Sequence, residues 1–219
     1  MAVTLPEEMM LLSLDDESGQ AKDGLMLGLP LSGAIVLELA FAGRVTLADG
    51  QVRVVDTRPT GVELLDGRLA ALAAWTEGRR RTKIGDWLMK DQRTSVRAAE
   101  ESLCRRGLVT EEKHKVLGLI PVRRYPEVDG SVERELRERL TDAVLRGEEA
   151  DDRTAALIAL LQAGLLHRIA FPGVPRREVE PRMKAFTEGH GVAESIRAAV
   201  GAMYAAVAAA MVATAAGAV

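Results

Sequence analysis

The sequence contains few of the residues that usually perform chemistry. Its one cysteine, Cys104, excludes an internal disulfide and is compatible with a reducing compartment. The three histidines, His114, His167 and His190, lie far apart and lack a metal-ligand spacing such as His-Glu-x-x-His. No motif marks Cys104 as a nucleophile, and its apolar helical position favours a small core side chain. We therefore expect no catalytic residue, no metal and no cofactor, and a protein that is not an enzyme.

The sequence also lacks an excess of charge of either sign. It has 29 Lys and Arg against 32 Asp and Glu, which gives a formal net charge of -3 at pH 7. A chain with this balance has no overall attraction to nucleic acid or to an anionic membrane, so any such binding needs a local basic patch. Residues 1–8 have neither a basic region nor a long apolar run. We therefore expect no secretory signal and a cytoplasmic location.

The carboxy-terminal stretch, residues 198–219, has no charged residue. It is long enough to span the roughly 30 Å hydrocarbon core of a bilayer. However, most of its residues are Ala or Gly, whose small side chains gain little from transfer into lipid. A helix that is apolar on every side belongs in a core or a membrane. We expect a buried central helix, with membrane contact and a frayed tail as the less favoured alternatives.

Local signals predict a mainly α protein with two short β-hairpins. Residues 5–14 form an apolar helix with acidic residues in its first turn. Ser32 is predicted to cap a helix over residues 33–42, which Gly43 ends in a left-handed conformation. The Asp49-Gly50 pair tolerates the positive φ angles of a type I′ turn between alternating apolar residues, which predicts the first hairpin.

Further helices follow from the hydrophobic period, and one domain over residues 1–219 is the simplest architecture. The predicted helices cover 62–76, 84–90, 94–106, 132–145, 152–167, 177–188 and 192 onward. After Gly107, predicted strands at 108–109 and 115–120 form the second hairpin. The predicted centre contains Ile35, Val36, Leu39, Leu157, Ile158, Leu161 and the helix near 200–207. Glu38 is the single charge in its apolar helix, and we expect it to pair with an Arg such as Arg44.

Two surface features could bind a ligand or a partner. Basic residues cluster between positions 79 and 97, and guanidinium groups can bind phosphate bidentately. These residues are Arg79, Arg80, Arg81, Lys83, Lys90, Arg93 and Arg97. A solvated charged face is the alternative interpretation of this cluster. The second feature is apolar, and its residues either pack on the domain or a neighbouring subunit, or insert into lipid. They are Val116, Leu117, Leu119 and Ile120.

The order of several short motifs resembles that of the Golgi phosphoprotein 3 family. The likeness covers about residues 5 to 170 in order, with a weaker match to the end. The motifs are Leu5-Pro6-Glu7-Glu8, the apolar run from Gly33 to Arg44, Pro59-Thr60-Gly61 with Leu64-Leu65-Asp66, Trp87-Leu88, Thr110-Glu111-Glu112-Lys113 and Ala156-Leu157-Ile158-Ala159-Leu160. The resemblance implies a compact bundle of apolar core helices ringed by amphipathic helices. It also implies a peripheral membrane protein that binds phosphatidylinositol 4-phosphate on a flat basic face.

The resemblance further implies which residues hold the lipid headgroup. The family pocket uses a Trp and an Arg before the apolar helix, and two Arg on the helix that leads into the second hairpin. In this chain Asp23 and Ser32 occupy the first two positions. Arg93 or Thr94 occupies the third, and Arg97 the fourth. The departures at Asp23 and Ser32 remove an aromatic ring and a cation from the pocket, so strict recognition of phosphatidylinositol 4-phosphate is not expected to carry over.

Two functional hypotheses follow. The first is a peripheral protein at the inner face of the membrane that binds anionic phospholipid through Arg93 and Arg97, assisted by residues 79–81. In this hypothesis the apolar hairpin residues 116–120 insert into the membrane or form a homo-oligomer. The second is a cytoplasmic protein-interaction adaptor without lipid binding. Neither hypothesis involves nucleic acid.

Overall fold

The fold was analysed in a computed structural model that describes residues 3–14, 24–116, 120–188 and 194–216. Helices predominate, which confirms the mainly α class, and the described residues form two β-hairpins, of which the first is the predicted one. The helices are α1 Leu5–Ser13, α2 Gly24–Phe41, α3 Glu63–Thr76, α4 Ile84–Arg105, α5 Ser131–Thr141, α6 Asp152–Ala163, α7 His167–Ala170, α8 Arg176–Glu188 and α9 Glu194–Ala216, with a π-helical turn at Asp142–Arg146. The strands are β1 Val45–Ala48, β2 Gln51–Val54, β3 Glu112–Val116 and β4 Ile120–Arg124.

Helix α2 lies at the centre, where it packs against α1, α4, α6 and α9. Its side chains are apolar on nearly every face, and a helix of that kind is stable in water only when other helices cover it. The predicted core residues of α2 and α6 are all buried, which confirms that part of the prediction. Their exposed fractions do not exceed 1 % at Ile35, Val36, Leu39, Leu157, Ile158 and Leu161.

The predicted start of the central helix is wrong. Helix α2 begins at Gly24 and continues through Pro30, so Ser32 lies inside it and does not cap it. Ser32 is completely buried. The end of the helix is as predicted, since Gly43 has a φ of 69°.

The first hairpin has the predicted turn and register. Asp49 and Gly50 have φ angles of 52° and 68°, as a type I′ turn requires. Val45 pairs with Val54 in the antiparallel ladder, and Leu47 with Val52. The apolar alternation seen in the sequence therefore places Val45 and Val52 on the buried side of the hairpin.

Two helices predicted at 84–90 and 94–106 are a single helix, α4. The polar residues between them suggested a break, but Asp91 is buried and pairs with Arg68 of α3, with Nη1 3.3 Å from Oδ1. The same carboxylate accepts a hydrogen bond from the Ser95 hydroxyl at 2.9 Å. Because Asp91 has partners on the packed side, the helix runs without interruption across the polar stretch.

The second hairpin differs from the prediction in its strand limits. Residues 115–120 are not one strand, because β3 ends at Val116 and β4 begins at Ile120, and these two residues pair. Residues 117–119 lie outside the described ranges. The predicted strand at 108–109 is limited to an isolated bridge between Val109 and Glu127.

Helix α9 is only partly the buried central helix that its composition predicts. Val200, Met203, Val207 and Ala210 are buried, and the helix packs against α2, α4 and α6. This confirms the predicted core near 200–207. The other faces are more exposed, and all of 212–216 is exposed. By length and composition alone, the helix over residues 198–216 could cross a membrane. In the structure, 22 % of its most apolar stretch is buried.

Two further predictions need correction. Glu38 pairs with Arg153 of α6, whereas Arg44 pairs with Asp56 at 2.9 Å. The helix predicted over 152–167 ends at Ala163, because Leu165 has a φ of 57° and turns the chain before α7.

Candidate cationic membrane-binding face

The exposed side of α4 carries two arginines in adjacent turns. The 3.6-residue period places Trp87, Leu88 and Ala99 in the core and turns Arg93 and Arg97 toward solvent. Positions four apart are separated by about 6 Å along a helix, so the two guanidinium groups can reach the same ligand. Within the described part of the chain, neither Arg93 nor Arg97 forms an ion pair.

Lysines extend this surface toward the start of the helix. Lys83 and Lys90 are exposed, and Asp86 is the one acid among the exposed residues of α4 before Arg97. We call Lys83, Lys90, Arg93 and Arg97 the cationic face. Glu100 and Glu101 follow Arg97, so the positive potential is confined to the first four turns of the helix.

The arginines at 79–81 lie in the segment before α4 and are exposed. The Arg79 guanidinium carbon lies 5.0 Å from the ring centroid of Trp75, a cation–π contact that fixes this side chain on α3. Arg93 lies about 14 Å along α4 from Ile84, at the helical rise of 1.5 Å per residue. The structure therefore brings Arg93 and Arg97 together, and it gives no contact between them and the arginines at 79–81.

The structure describes one of the two positions at which the resemblance expects a Trp and an Arg. Asp23 lies outside the described residues. Ser32 is completely buried, and its hydroxyl has no hydrogen-bond partner among the described residues. The α2 backbone passes close to α4 at this level, because a Cβ on Gly28 would lie 3.1 Å from Cβ of Gln92. Ser32 therefore does not reach a ligand at the surface.

A buried carboxylate lies beneath the cationic face. Burial raises the pKa of Asp91, and the Arg68 guanidinium and the Ser95 hydroxyl oppose that rise. Its ion pair with Arg68 joins α4 to α3 on the inner side of the helix. This contact fixes the orientation of α4 and, with it, the direction in which the cationic face points.

The predicted hairpin site is only partly described. Val116 and Ile120 are the last pair of the ladder, and Leu117 and Leu119 lie outside the described residues. Their predicted role in membrane insertion or self-association stays a prediction.

Two exposed apolar residues, one on α4 and one on α9, were not identified from the sequence. Met89 of α4 is 42 % exposed and Val212 of α9 is 70 % exposed. The Thr214 hydroxyl lies 3.7 Å from the Met89 sulfur, so the end of α9 contacts α4 one turn before Arg93. The Ala-rich composition of α9 favoured complete burial and hid this end of the helix. The only signal in the sequence was the adjacent pair of larger apolar residues, Met211 and Val212, near the end of the helix.

The lining of a separate cavity contains no residue of the cationic face. This cavity encloses about 930 Å³ between α7 and the start of α8, and its lining includes His167, Phe171 and Arg176. Burial, then the neighbouring Arg176, lowers the pKa of His167. The imidazole is therefore neutral at pH 7 and adds no positive charge there.

These features define a helical protein with an apolar central helix and a cationic surface helix packed against it. A sequence model of the Golgi phosphoprotein 3 (GPP34) family matches residues 5–203, nearly the whole chain. The chain therefore belongs to the Golgi phosphoprotein 3 family. A comparison with curated proteins finds no match.

Proposed function

We propose that this protein is a peripheral membrane protein that binds anionic phospholipid headgroups through Arg93 and Arg97. The observation that supports this most directly is the pair of exposed guanidinium groups one turn apart, neither with an ion pair in the described part of the chain. Membership of the Golgi phosphoprotein 3 family supports the same function, because its members bind phosphoinositides at this helix.

The guanidinium groups of Arg93 and Arg97 are suited to binding a phosphate. Each guanidinium group can donate two parallel hydrogen bonds to phosphate oxygens. Like charges four residues apart on a helix destabilise it by a few tenths of a kcal/mol. A bound anion between Arg93 and Arg97 removes that repulsion. Lys90 adds a third charge on the same face, and a cation near an anionic surface contributes on the order of 1 kcal/mol to binding.

We propose that headgroup charge, more than the position of a phosphate on inositol, determines the affinity. Ser32 is buried where the family pocket has an arginine, and Asp23 replaces the family tryptophan. Two groups that would recognise one particular headgroup are thus absent, while the two arginines on α4 remain. The location that follows is the cytoplasmic face of a membrane containing anionic lipid.

Vesicle co-sedimentation tests the proposal. Vesicles of phosphatidylcholine alone are compared with vesicles that also contain phosphatidylglycerol, cardiolipin, phosphatidylinositol or its 4-phosphate. We expect binding to every anionic composition at about 0.1 M salt and loss at about 1 M, where the Debye length falls from roughly 10 Å to roughly 3 Å. The double variant Arg93→Ala/Arg97→Ala should bind at least tenfold more weakly with unchanged helical content.

A matched control removes the same charge elsewhere. Arg168 and Arg177 are exposed near α7 and α8, and α8 does not pack on α4. Arg168→Ala/Arg177→Ala should leave vesicle binding close to that of the wild type. If the wild-type protein ignores every anionic vesicle at low salt, lipid binding is wrong and the protein-interaction adaptor becomes the better proposal.

A further inference from the structure

We propose that the cavity between α7 and the start of α8 binds a small organic carboxylate with an apolar body. The site is separate from the proposed lipid-binding surface, because no residue of the cationic face lines it. The volume of about 930 Å³ lies within the range of roughly 300–1,000 Å³ that is usual for small-molecule sites. The cavity therefore has room for a ligand larger than an inorganic anion.

The apolar part of the lining determines the body of the ligand. Ile169 and Phe171 both line the cavity and are almost completely buried, at 2 % and 3 % exposure. Pro172, Val174 and Pro175 add apolar surface that is more open to solvent. A ligand with an aromatic or aliphatic body would remove this surface from water, which favours binding.

The charged part of the lining determines the sign of the ligand. Arg168 is exposed and forms no ion pair within the described part of the chain. Arg176 already binds Glu180, with Nε 2.7 Å from Oε2 and Nη2 3.0 Å from Oε1. None of the described lining residues is acidic. The cavity thus offers one cation without a partner, and a guanidinium group can bind a carboxylate through two parallel hydrogen bonds.

The histidine in the lining limits the charge that the ligand carries. His167 is neutral at pH 7, because burial and then Arg176 lower its pKa. A neutral imidazole has one donor and one acceptor nitrogen, so it can hydrogen-bond a ligand without adding charge. A phosphate monoester carries a charge of about -1.5 to -2 at pH 7, more than Arg168 alone would balance. A carboxylate, with its single charge, is the better match.

The wall of the cavity is held in place before a ligand binds. Arg137 of α5 donates from Nη1 to the carbonyl oxygen of Ile169 at 2.7 Å and from Nη2 to that of Leu12 at 3.3 Å, which joins α7 to α1. Pro172 and Pro175 have φ angles restricted by their rings. A wall that is already ordered loses little conformational entropy on binding, which favours affinity for a small ligand.

Three probes separate the contribution of charge from that of apolar contact. Phenylpropanoate has both an aromatic body and a carboxylate, phenylpropanamide keeps the body without the charge, and propanoate keeps the charge without the ring. Isothermal titration calorimetry with the full chain measures each affinity. We expect one phenylpropanoate per chain, bound roughly tenfold or more tightly than either of the other two, since a charge-assisted hydrogen bond contributes at least that factor.

The variant that tests the charge is Arg168→Ala. It should weaken phenylpropanoate binding by roughly tenfold and leave the affinity for phenylpropanamide unchanged, because only the carboxylate needs the guanidinium group. A loss of structure would weaken both probes equally. Arg177→Ala is the matched control, since Arg177 is an exposed arginine near α7 that does not line the cavity. It should bind both probes as the wild type does, and both variants should keep the wild-type melting temperature.

The outcomes separate this inference from the proposed lipid binding. Arg93→Ala/Arg97→Ala should bind phenylpropanoate normally, so a failure of lipid binding leaves the cavity site intact. The site is wrong if phenylpropanoate does not bind, binds no more tightly than the amide, or binds Arg168→Ala as well as the wild type. Tighter binding of phenyl phosphate would overturn the choice of a carboxylate. Loss of vesicle binding in Arg168→Ala would assign the cavity to membrane lipid and would also overturn the proposal.

Discussion

Arg153 of α6 binds the carboxylate of Glu38 in α2 with both ends of its guanidinium group. Nη2 lies 2.8 Å from Oε1 and Nη1 lies 3.1 Å from Oε2. Glu38 Oε1 also accepts the backbone N–H of Leu5 at 2.7 Å, and Arg153 Nη2 donates to the carbonyl oxygen of Val3 at 2.9 Å. One ion pair thus joins the start of α1 to the central helix and to α6.

Removal of the arginine should destabilise the protein. Glu38 is 7 % exposed in the wild type, and Arg153→Ala would leave its carboxylate without a counter-ion. Breaking a fully buried pair costs about 3–5 kcal/mol, and because the Arg153 side chain is 35 % exposed we expect roughly 2–3 kcal/mol. Urea denaturation followed by circular dichroism measures this loss in the free energy of unfolding.

Arg58→Ala is the control for that experiment. Arg58 also binds a carboxylate, that of Asp56, with Nη2 2.7 Å from Oδ2, but its side chain is 82 % exposed. Exposed pairs contribute little because solvent screens their attraction, so this variant should stay close to the wild type. Equal losses in the two variants would show that burial of Glu38 does not determine the effect.

Gly164 should not tolerate a larger residue. It follows α6 with ordinary right-handed dihedral angles, so its backbone does not require glycine. A Cβ at this position would overlap Cγ of Pro30 in α2. Gly164→Ala should therefore force α6 and α2 apart and lower the free energy of unfolding by about 1–3 kcal/mol, the usual cost of overpacking.

The same substitution at Gly67 should have the opposite sign. Gly67 lies inside α3, and a Cβ there would meet nothing within 4 Å among the described residues. Gly67→Ala should raise the free energy of unfolding by up to about 1 kcal/mol, because alanine has the higher helix propensity. A loss of stability in both variants would contradict the proposed clash at Pro30.

Asp91 should make stability fall as pH rises. Burial raises its pKa in the folded state above the ordinary value of 3.8. Between 3.8 and that raised pKa the folded protein binds the proton more tightly than the unfolded chain, so ionisation favours unfolding. The unfolding free energy of the wild type relative to Asp91→Asn should therefore decrease as pH rises through this range. Urea titrations at several pH values above 3.8 measure the difference.

Asp56 should show the reverse dependence. Hydrogen bonds from Arg58 lower its pKa to about 2. Its contribution to stability is complete above the ordinary value of 3.8 and is lost as pH falls toward 2. On acidification below pH 3.8, the free energy of unfolding of the wild type should fall relative to that of Asp56→Asn. The difference between the wild type and Asp91→Asn should instead change above pH 3.8. A change in the same direction at both sites would contradict these assignments.

Features that depend on neighbouring residues could be predicted from the sequence. The Asp49-Gly50 turn and the buried run Ile35–Leu39 follow from turn geometry and from the lack of a polar side. Features that depend on distant partners could not. The continuity of α4 requires Arg68 opposite Asp91, and the partner of Glu38 is 115 residues away. Neither pairing leaves a local signal.

The candidate site also combines local features with features that depend on distant partners. The sequence showed the basic cluster, but the predicted break between residues 90 and 94 left Arg93 outside both helices. Only the continuous helix α4 places Arg93 and Arg97 one turn apart on one exposed side. The exposed end of α9 depends on where the helix leaves the core and on the contact between Thr214 and Met89, which are 125 positions apart. Composition alone favoured burial of this helix, and only its packing distinguishes Val207 inside from Val212 outside.

The second hairpin supports a final prediction about self-association. Strands β3 and β4 pair from Glu112 and Arg124 to Val116 and Ile120, and Leu117 and Leu119 lie between the two strands in the sequence. Because this stretch of the sequence is apolar, we predict a homodimer or larger oligomer formed through this hairpin.

Leu117→Asp/Leu119→Asp should convert that oligomer into a monomer, because four carboxylates would meet in each dimer contact. Light scattering coupled to size exclusion measures the mass, and circular dichroism checks that the helices remain. Val55→Asp adds an acid at an exposed valine of the first hairpin and should leave the mass unchanged. A monomeric wild type whose mass does not change in Leu117→Asp/Leu119→Asp would contradict self-association through this hairpin. Packing on the domain and membrane insertion would then be its remaining predicted roles.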